Sequence, residues 1–258
     1  MTWFLASVRS AEEARIALAG GADIIDAKEP AAGALGRVPP ATLAAIVETV
    51  GGQCPVSATI GDVPLAPAPV RQAVERTATS GADIVKIGIF EGDLAATLDA
   101  LAPLANGGSR LVAVAFADRR PALAPLVARC AAAGFYGVML DTAAKGGGSL
   151  TAHLGLAALA EFIAAARRAR LVTGLAGALQ VADVPVLAPL GADYLGFRSA
   201  LTAGGRHAAL DPAAVRAVRA ALDQSAASSS ATATAGAIAA AASASAGSAS
   251  GTISSKVR

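Results

Sequence analysis

Two regimes of hydrophobic patterning alternate along the first 222 residues. Short apolar, β-branched runs lie at about 3–8, 23–28, 55–60, 83–89, 111–117, 137–142, 171–176 and 193–199. Between them, apolar residues recur with helical spacing at roughly 11–19, 40–50, 68–80, 92–104, 120–133, 151–169, 180–190 and 212–222. Continuously apolar strands separated by helices are the pattern of a parallel sheet buried on both faces. Eight such α/β units predict a closed (β/α)8 TIM barrel, for which about 250 residues is usual. An open doubly wound sheet would carry Gly-x-Gly-x-x-Gly after the first strand, and Val8-Arg9-Ser10-Ala11 lacks it.

A repeat marks the passage from helix to strand. Gly21-Ala-Asp-Ile-Ile-Asp-Ala-Lys28 is followed by Gly81-Ala-Asp-Ile-Val-Lys-Ile-Gly88 and Gly191-Ala-Asp-Tyr-Leu-Gly-Phe-Arg198, with a weaker copy from Gly134 to Asp141. Each copy ends an Ala-rich amphipathic segment with Gly and opens a strand after one polar residue.

Composition adjusts this picture at the C-terminus. From Gln224 to Arg258 the chain is mostly Ser, Ala, Gly and Thr, without apolar periodicity. We therefore divide it into a barrel domain, 1–223, and a flexible tail, 224–258. Of the 258 residues 70 are Ala, so a mean hydropathy of +0.55 overstates greasiness. No run of about 18 apolar residues free of charge or Gly argues for a membrane span, and no leader pattern opens the chain. A net charge of +2, spread evenly and with 3% aromatics, disfavours a nucleic-acid partner. Cys54 and Cys130 are far apart, and His153 and His207 are isolated. The expectation is a reduced, cytoplasmic protein without a metal site or disulfide.

The charge does change the picture in one respect. Arg outnumbers Lys 17 to four, the lysines being Lys28, Lys86, Lys145 and Lys256. Where Arg serves as the generic cation, a retained Lys points to a required amine. Side chains alternate along a strand, so the fifth and seventh residues after each repeat Gly share a face. These are Asp26 and Lys28, Lys86 and Gly88, Met139 and Asp141, Gly196 and Arg198. The alternate positions, fourth and sixth after each repeat Gly, are all apolar: Ile25, Ala27, Val85, Ile87, Val138, Leu140, Leu195 and Phe197. The polar set is therefore expected to face the barrel axis at the strand C-termini, where this fold builds active sites. A salt-bridge layer plugging the barrel is the purely structural alternative, but it would not require Lys rather than Arg. Lys crowded by cations can act as a free amine. Lys86 and Arg198 are candidates to depress the Lys28 pKa, with Asp26 and Asp141 to hold and relay protons.

Anion binding is expected beside this cluster. Gly174-Leu-Ala-Gly177-Ala178 ends the seventh strand, and Arg198-Ser199 leads to Gly204-Gly205-Arg206 after the eighth. Gly-rich loops at those places form the usual phosphate site of the barrel. Gly146-Gly147-Gly148 after Lys145 reads as a loop and has the wrong order for a P-loop. His153 reads as a surface or capping residue at a helix start, Cys130 as core, and Arg167, Arg168 and Arg170 as a solvated helix end.

Five motifs in register resemble those of the (5-formylfuran-3-yl)methyl phosphate synthases of methanofuran biosynthesis. They are Asp26-Ala-Lys28-Glu-Pro-Ala-Ala-Gly33-Ala-Leu-Gly36, Ser57-Ala-Thr-Ile-Gly-Asp62-Val-Pro64, the Gly81–Gly88 repeat, Asp141-Thr-Ala-Ala-Lys145 and Gly196-Phe-Arg198. The resemblance spans residues 3–222. It implies a lyase that condenses two glyceraldehyde 3-phosphate molecules into a phosphorylated furan aldehyde with loss of phosphate and water. It further implies a Schiff base at Lys28, acid/base work by Lys86, acidic residues Asp26 and Asp141 in the site, no metal or organic cofactor, and a homo-oligomer. Lys145, Gly177, Ala178, Arg198 and Ser199 are the expected substrate and phosphate contacts. Ala178 replaces a Ser common among relatives, and Gly146 an acidic residue. A Schiff-base aldolase or transaldolase on sugar phosphates, or a non-catalytic phosphosugar-binding barrel, remains the competing expectation.

Overall fold

The structure, a computed structural model, describes residues 2–144 and 146–228. Eight parallel strands close in chain order into a barrel, β1 pairing with both β2 and β8. The strands are β1 (Trp3–Val8), β2 (Ile24–Ala27), β3 (Val56–Thr59), β4 (Ile84–Gly88), β5 (Arg110–Phe116), β6 (Gly137–Asp141), β7 (Val172–Leu175) and β8 (Tyr194–Phe197). Helices α1 (Ala11–Ala19), α2 (Pro40–Val50), α3 (Pro67–Thr79), α4 (Leu94–Asn106) and α5 (Leu123–Ala132) follow the first five strands. After β6 come α6 (Leu150–His153) and α7 (Leu156–Arg168), after β7 the short α8 (Val184–Leu187), and after β8 a last helix, α9, over 212–228. Among the described residues no helix is long and apolar enough to cross a membrane.

Three expected helices differ in detail, each for a local reason. The stretch 151–169 is two helices, because Leu154 and Gly155 are extended between α6 and α7. The expected helix 180–190 is a four-residue α8 flanked by single 3-10 turns, Val181–Asp183 and Ala188–Leu190. Pro185 and Pro189 lack the N–H groups that would carry the α ladder through. Helix α9 continues through 224–228, past the expected domain boundary, and the tail from 229 lies outside the described residues.

Strand parity separates two cores. Ile25, Ala27, Val85, Ile87, Val138, Leu140, Leu195 and Phe197 belong to the cluster between barrel and helices. Small helical residues such as Ala14, Ala17, Ala73 and Ala166 are buried in that same cluster and let backbones approach closely. Leu5, Ile24, Ile84, Val112, Val114, Phe116, Met139 and Tyr194 fill the barrel interior. The repeat explains the strand starts. Asp23 accepts from Phe4 N at 2.7 Å, Asp83 from Val56 N at 2.8 Å and Asp193 from Thr173 N at 2.7 Å. Each repeat Asp thus ties its own strand to the first N–H groups of the strand before it. The repeat glycines 21, 81, 134 and 191 all have positive φ, between 77° and 94°, where a Cβ is disfavoured.

Candidate active site

The inward positions rise along the axis from apolar to charged. In register, Ser7 lies beside Asp26 and Asp26 beside Ser57. Asp26 therefore collects hydroxyl donors from both flanking strands, Ser7 Oγ at 2.9 Å and Ser57 Oγ at 2.6 Å. From β4, Lys86 Nζ reaches Asp26 Oδ1 at 2.6 Å. Burial pushes the Asp26 carboxyl up, but the Lys86 charge and the hydrogen bonds from Lys86 and Ser57 hold it net below the usual carboxylate range. For Lys86, burial pushes the amine below the ordinary lysine range. The Asp26 charge opposes that only in part, and the Lys28 charge reinforces it. Lys28, one residue past β2, points its Nζ across the barrel to Asp141 Oδ2 at 3.0 Å. Asp141 Oδ1 accepts from Thr142 N at 2.7 Å.

Above these pairs opens a cleft of about 440 Å³, within the ordinary range for small-molecule sites. Asp26, Lys28, Lys86, Asp141, Gly177, Ala178, Arg198 and Ser199 all line it. Lys145 lies outside the described residues, although Ala144 and Gly146 on either side of it border the cleft. The backbone N–H groups of Gly177, Ala178, Ser199 and Ala200 donate to no acceptor among the described residues. The chain turns sharply at the first two. Gly177 has φ 109° and Ala178 φ 49°, and a Cβ on Gly177 would strike Thr142. Such unspent donors suit an anion.

Two side-chain carboxylates outside the cleft shape its rim. Asp62 accepts from Ala34 N and Leu35 N at 2.8 and 2.7 Å, fastening the loop after β2. Gly33 makes room for it, since a Cβ there would sit 2.3 Å from Asp62 Oδ2. Asp118 accepts from Ala143 N and Ala144 N at 2.9 and 2.7 Å, fastening the loop after β6. Burial pushes its carboxyl up, but those bonds and the nearby His153 charge hold it net below the usual range.

Arg198 departs from expectation. Its Nε donates to Arg206 O, Nη1 to Ser7 O and Glu13 Oε2, and Nη2 to Glu13 Oε1 and Ala208 O. All five N–H donors are spent within the protein, and Glu13 neutralises the charge. Arg198 therefore locks the loop after β8 to β1 and α1 and offers no donor to a ligand or unpaired charge to Lys28. The bland expectations fare differently. Cys130 is buried core, its thiol pushed by burial up to about 12. His153 ends α6 rather than starting a helix, with Nε2 buried and unpartnered among the described residues. Ser7 and Asp118 are contributors outside the quoted motifs, whereas Ser57, Asp62 and Arg206 stood within them without an individual role. Strand parity could have found the two serines, whereas the others act from loops without a period.

Known proteins are similar to this chain over most of its barrel. A family model described as 4-HFC-P synthase matches residues 4–219. The chain belongs to the 4-HFC-P synthase family. A (5-formylfuran-3-yl)methyl phosphate synthase of Methanocaldococcus jannaschii is 36% identical over 214 residues, covering 78% of this chain and 90% of that one. Its counterpart in Methanosarcina acetivorans is 35% identical, covering 80% and 93%. A Methylorubrum extorquens protein bearing that name provisionally is 45% identical, covering 84% and 91%. Among solved structures, 3-hexulose-6-phosphate synthase from Salmonella typhimurium superposes with a TM-score of 0.63 at 17% identity, over 87% of this chain and all of that one. Phosphoribosyl anthranilate isomerase from Thermus thermophilus gives 0.61 at 16%, over 87% and 99%. These two likenesses concern the barrel alone, whereas family membership extends over the strands that carry both lysine pairs.

Proposed function

We propose that this chain is a lyase of methanofuran biosynthesis that condenses two glyceraldehyde 3-phosphate molecules into (5-formylfuran-3-yl)methyl phosphate, releasing one phosphate and two waters. The observation that supports this most is a pair of lysines, each held by its own aspartate, beneath one cleft rimmed by unspent backbone N–H groups. Lys28 is the better placed nucleophile because its side chain is 13% exposed against 2% for Lys86. Its Nζ passes a proton to Asp141, adds to the first aldehyde and, with loss of water, becomes an iminium. The iminium acidifies the adjacent C–H, and the resulting enamine carbon bonds to the second aldehyde. Lys86, an amine held below the ordinary lysine range beside a buried carboxylate, suits proton transfer. A hydroxyl of the second triose adds to the iminium carbon and displaces the Lys28 amine, forming the ring C–O bond. Two hydroxyls then leave as water, and hydrolysis of the second triose's phosphate ester consumes one water and leaves the aldehyde, so that two waters and one phosphate are released in all.

Borohydride trapping with substrate, read by mass spectrometry, tests the reading. The expected result is a reduced adduct at Lys28, with a near-ultraviolet furan chromophore and stoichiometric phosphate formed from triose phosphate alone. Lys28→Arg is expected to form neither adduct nor furan while melting close to the parent protein. Full activity in that variant, or a product of ordinary aldol type, would overturn the assignment.

A further inference from the structure

The proposed condensation brings two phosphate groups into one cleft, and the charges lining that cleft do not serve both alike. Lys28 is paired with Asp141, Lys86 with Asp26 and Arg198 with Glu13. One charge among the described lining residues is left over, that of Arg206. This half-buried side chain rises from the loop after β8 and bonds through Nη2 alone, to Pro30 O at 3.1 Å and Gly33 O at 3.2 Å. Its Nε and Nη1 donate to no acceptor among the described residues, and it forms no ion pair there. A phosphate dianion is stabilised by charge-assisted donors of this kind.

Position separates Arg206 from the backbone N–H groups. Lys28 Nζ is drawn to Asp141 on β6, and Asp141 adjoins Thr142, against which Gly177 packs. A triose bound to Lys28 would thus have the Gly177–Ala178 turn beside it, with those backbone donors for its phosphate. Arg206 is moored over the loop after β2, three strands round the barrel from β7. We infer that Arg206 binds the phosphate of the second triose, the aldehyde attacked by the enamine, and so selects a phosphorylated acceptor. This rests on the condensation proposed above, and a parent protein that gives no Lys28 adduct refutes that condensation itself rather than the role of Arg206.

The test is a competition at the second step. Protein with excess glyceraldehyde 3-phosphate is mixed with 13C-labelled, unphosphorylated glyceraldehyde, and mass spectrometry counts labelled and unlabelled six-carbon products. In Arg206→Gln, the preference for the phosphorylated acceptor is expected to fall about tenfold or more, the scale for losing a hydrogen bond to a charged group. The three-carbon borohydride adduct at Lys28 is expected to form at the parent's substrate concentration. Arg206→Lys keeps a charge but ties the loop less firmly, so it should retain most of the preference. The ratio reads only the folded fraction, which keeps the test valid if a variant is less stable. Equal retention of the preference in both variants, equal loss in both, or disappearance of the three-carbon adduct in Arg206→Gln overturns the proposal.

Discussion

The two lysine–aspartate pairs have the same chemistry and opposite settings. Lys86 and Asp26 have side chains only 2% and 1% exposed, and Asp26 is further wrapped by two serine hydroxyls. Lys28 and Asp141 are 13% and 10% exposed, and Asp141's other oxygen takes a backbone N–H. Height along the axis makes the difference. Lys86 is the third residue of the five in β4, whereas Lys28 stands just beyond the end of β2. A lysine at the strand end is open to the cleft. One lower down is shut in with its partner, where attraction must offset the desolvation of two charges. Such a pair contributes little net stability, so a role in moving protons accounts better for its presence than folding does.

The largest expected effect breaks the division of labour at Lys86. Lys86→Gln should slow furan formation by about 10²–10⁴, the usual range for a lost acid/base group. The borohydride adduct at Lys28 should still form, and quench–mass spectrometry follows both. If the adduct vanished and the furan rate did not recover at high substrate, the exposed pair would not be acting alone as nucleophile.

Next comes the cost of separating buried partners. Asp26→Asn should destabilise the protein by about 3–5 kcal/mol, because it leaves the Lys86 ammonium without its counter-charge. Chemical denaturation measures this, and pairing Asp26→Leu with Lys86→Met should recover most of the loss. The pH dependence has a defined sign. Asp26 titrates lower folded than unfolded, so its contribution is present above the usual carboxylate range and is lost as pH falls through its folded value. Lys86 also titrates lower folded than unfolded, so the unfolded chain keeps that proton longer and stability rises as pH climbs toward the ordinary lysine range. The denaturation midpoint should therefore rise with pH in both windows, and Asp26→Asn should flatten the acid one.

The smallest effect belongs to the less buried pair, Lys28 and Asp141. Asp141→Asn should cost about 1–2 kcal/mol of stability, the scale of one charge-assisted bond. It should slow adduct formation more than it lowers the melting temperature. Equal damage from Asp141→Asn and Asp26→Asn in denaturation would erase the contrast between the two settings.

Much of this could be read before any coordinates. Period-two alternation placed Asp26, Lys28, Lys86 and Asp141 on the inner face, because strand geometry leaves a side chain only two directions. The scarcity of Lys singled out two of those four. Sequence reading failed where a residue's partner comes from a distant loop. Arg198 has inward parity and an apt charge, yet Glu13 of α1 and three carbonyls, those of Ser7, Arg206 and Ala208, consume it. Arg206, with no strand period to mark it, is the cation left unpaired at the cleft among the described residues. The repeat aspartates were legible only as polar strand starts, because their bonds join neighbouring strands 19 to 27 residues apart.

By itself the sequence determined the number of strands, the face each strand residue takes and the motifs of the family. Those properties are local or periodic, set by backbone geometry and the burial of apolar side chains. Only the tertiary structure decided which lysine is the more exposed to the cleft and which the more buried, and which arginine keeps its donors free among the described residues. Those outcomes depend on the stagger of strands around the closed barrel and on loops that meet across its mouth. Bonds of that kind form between residues far apart in the chain, where no local pattern records them.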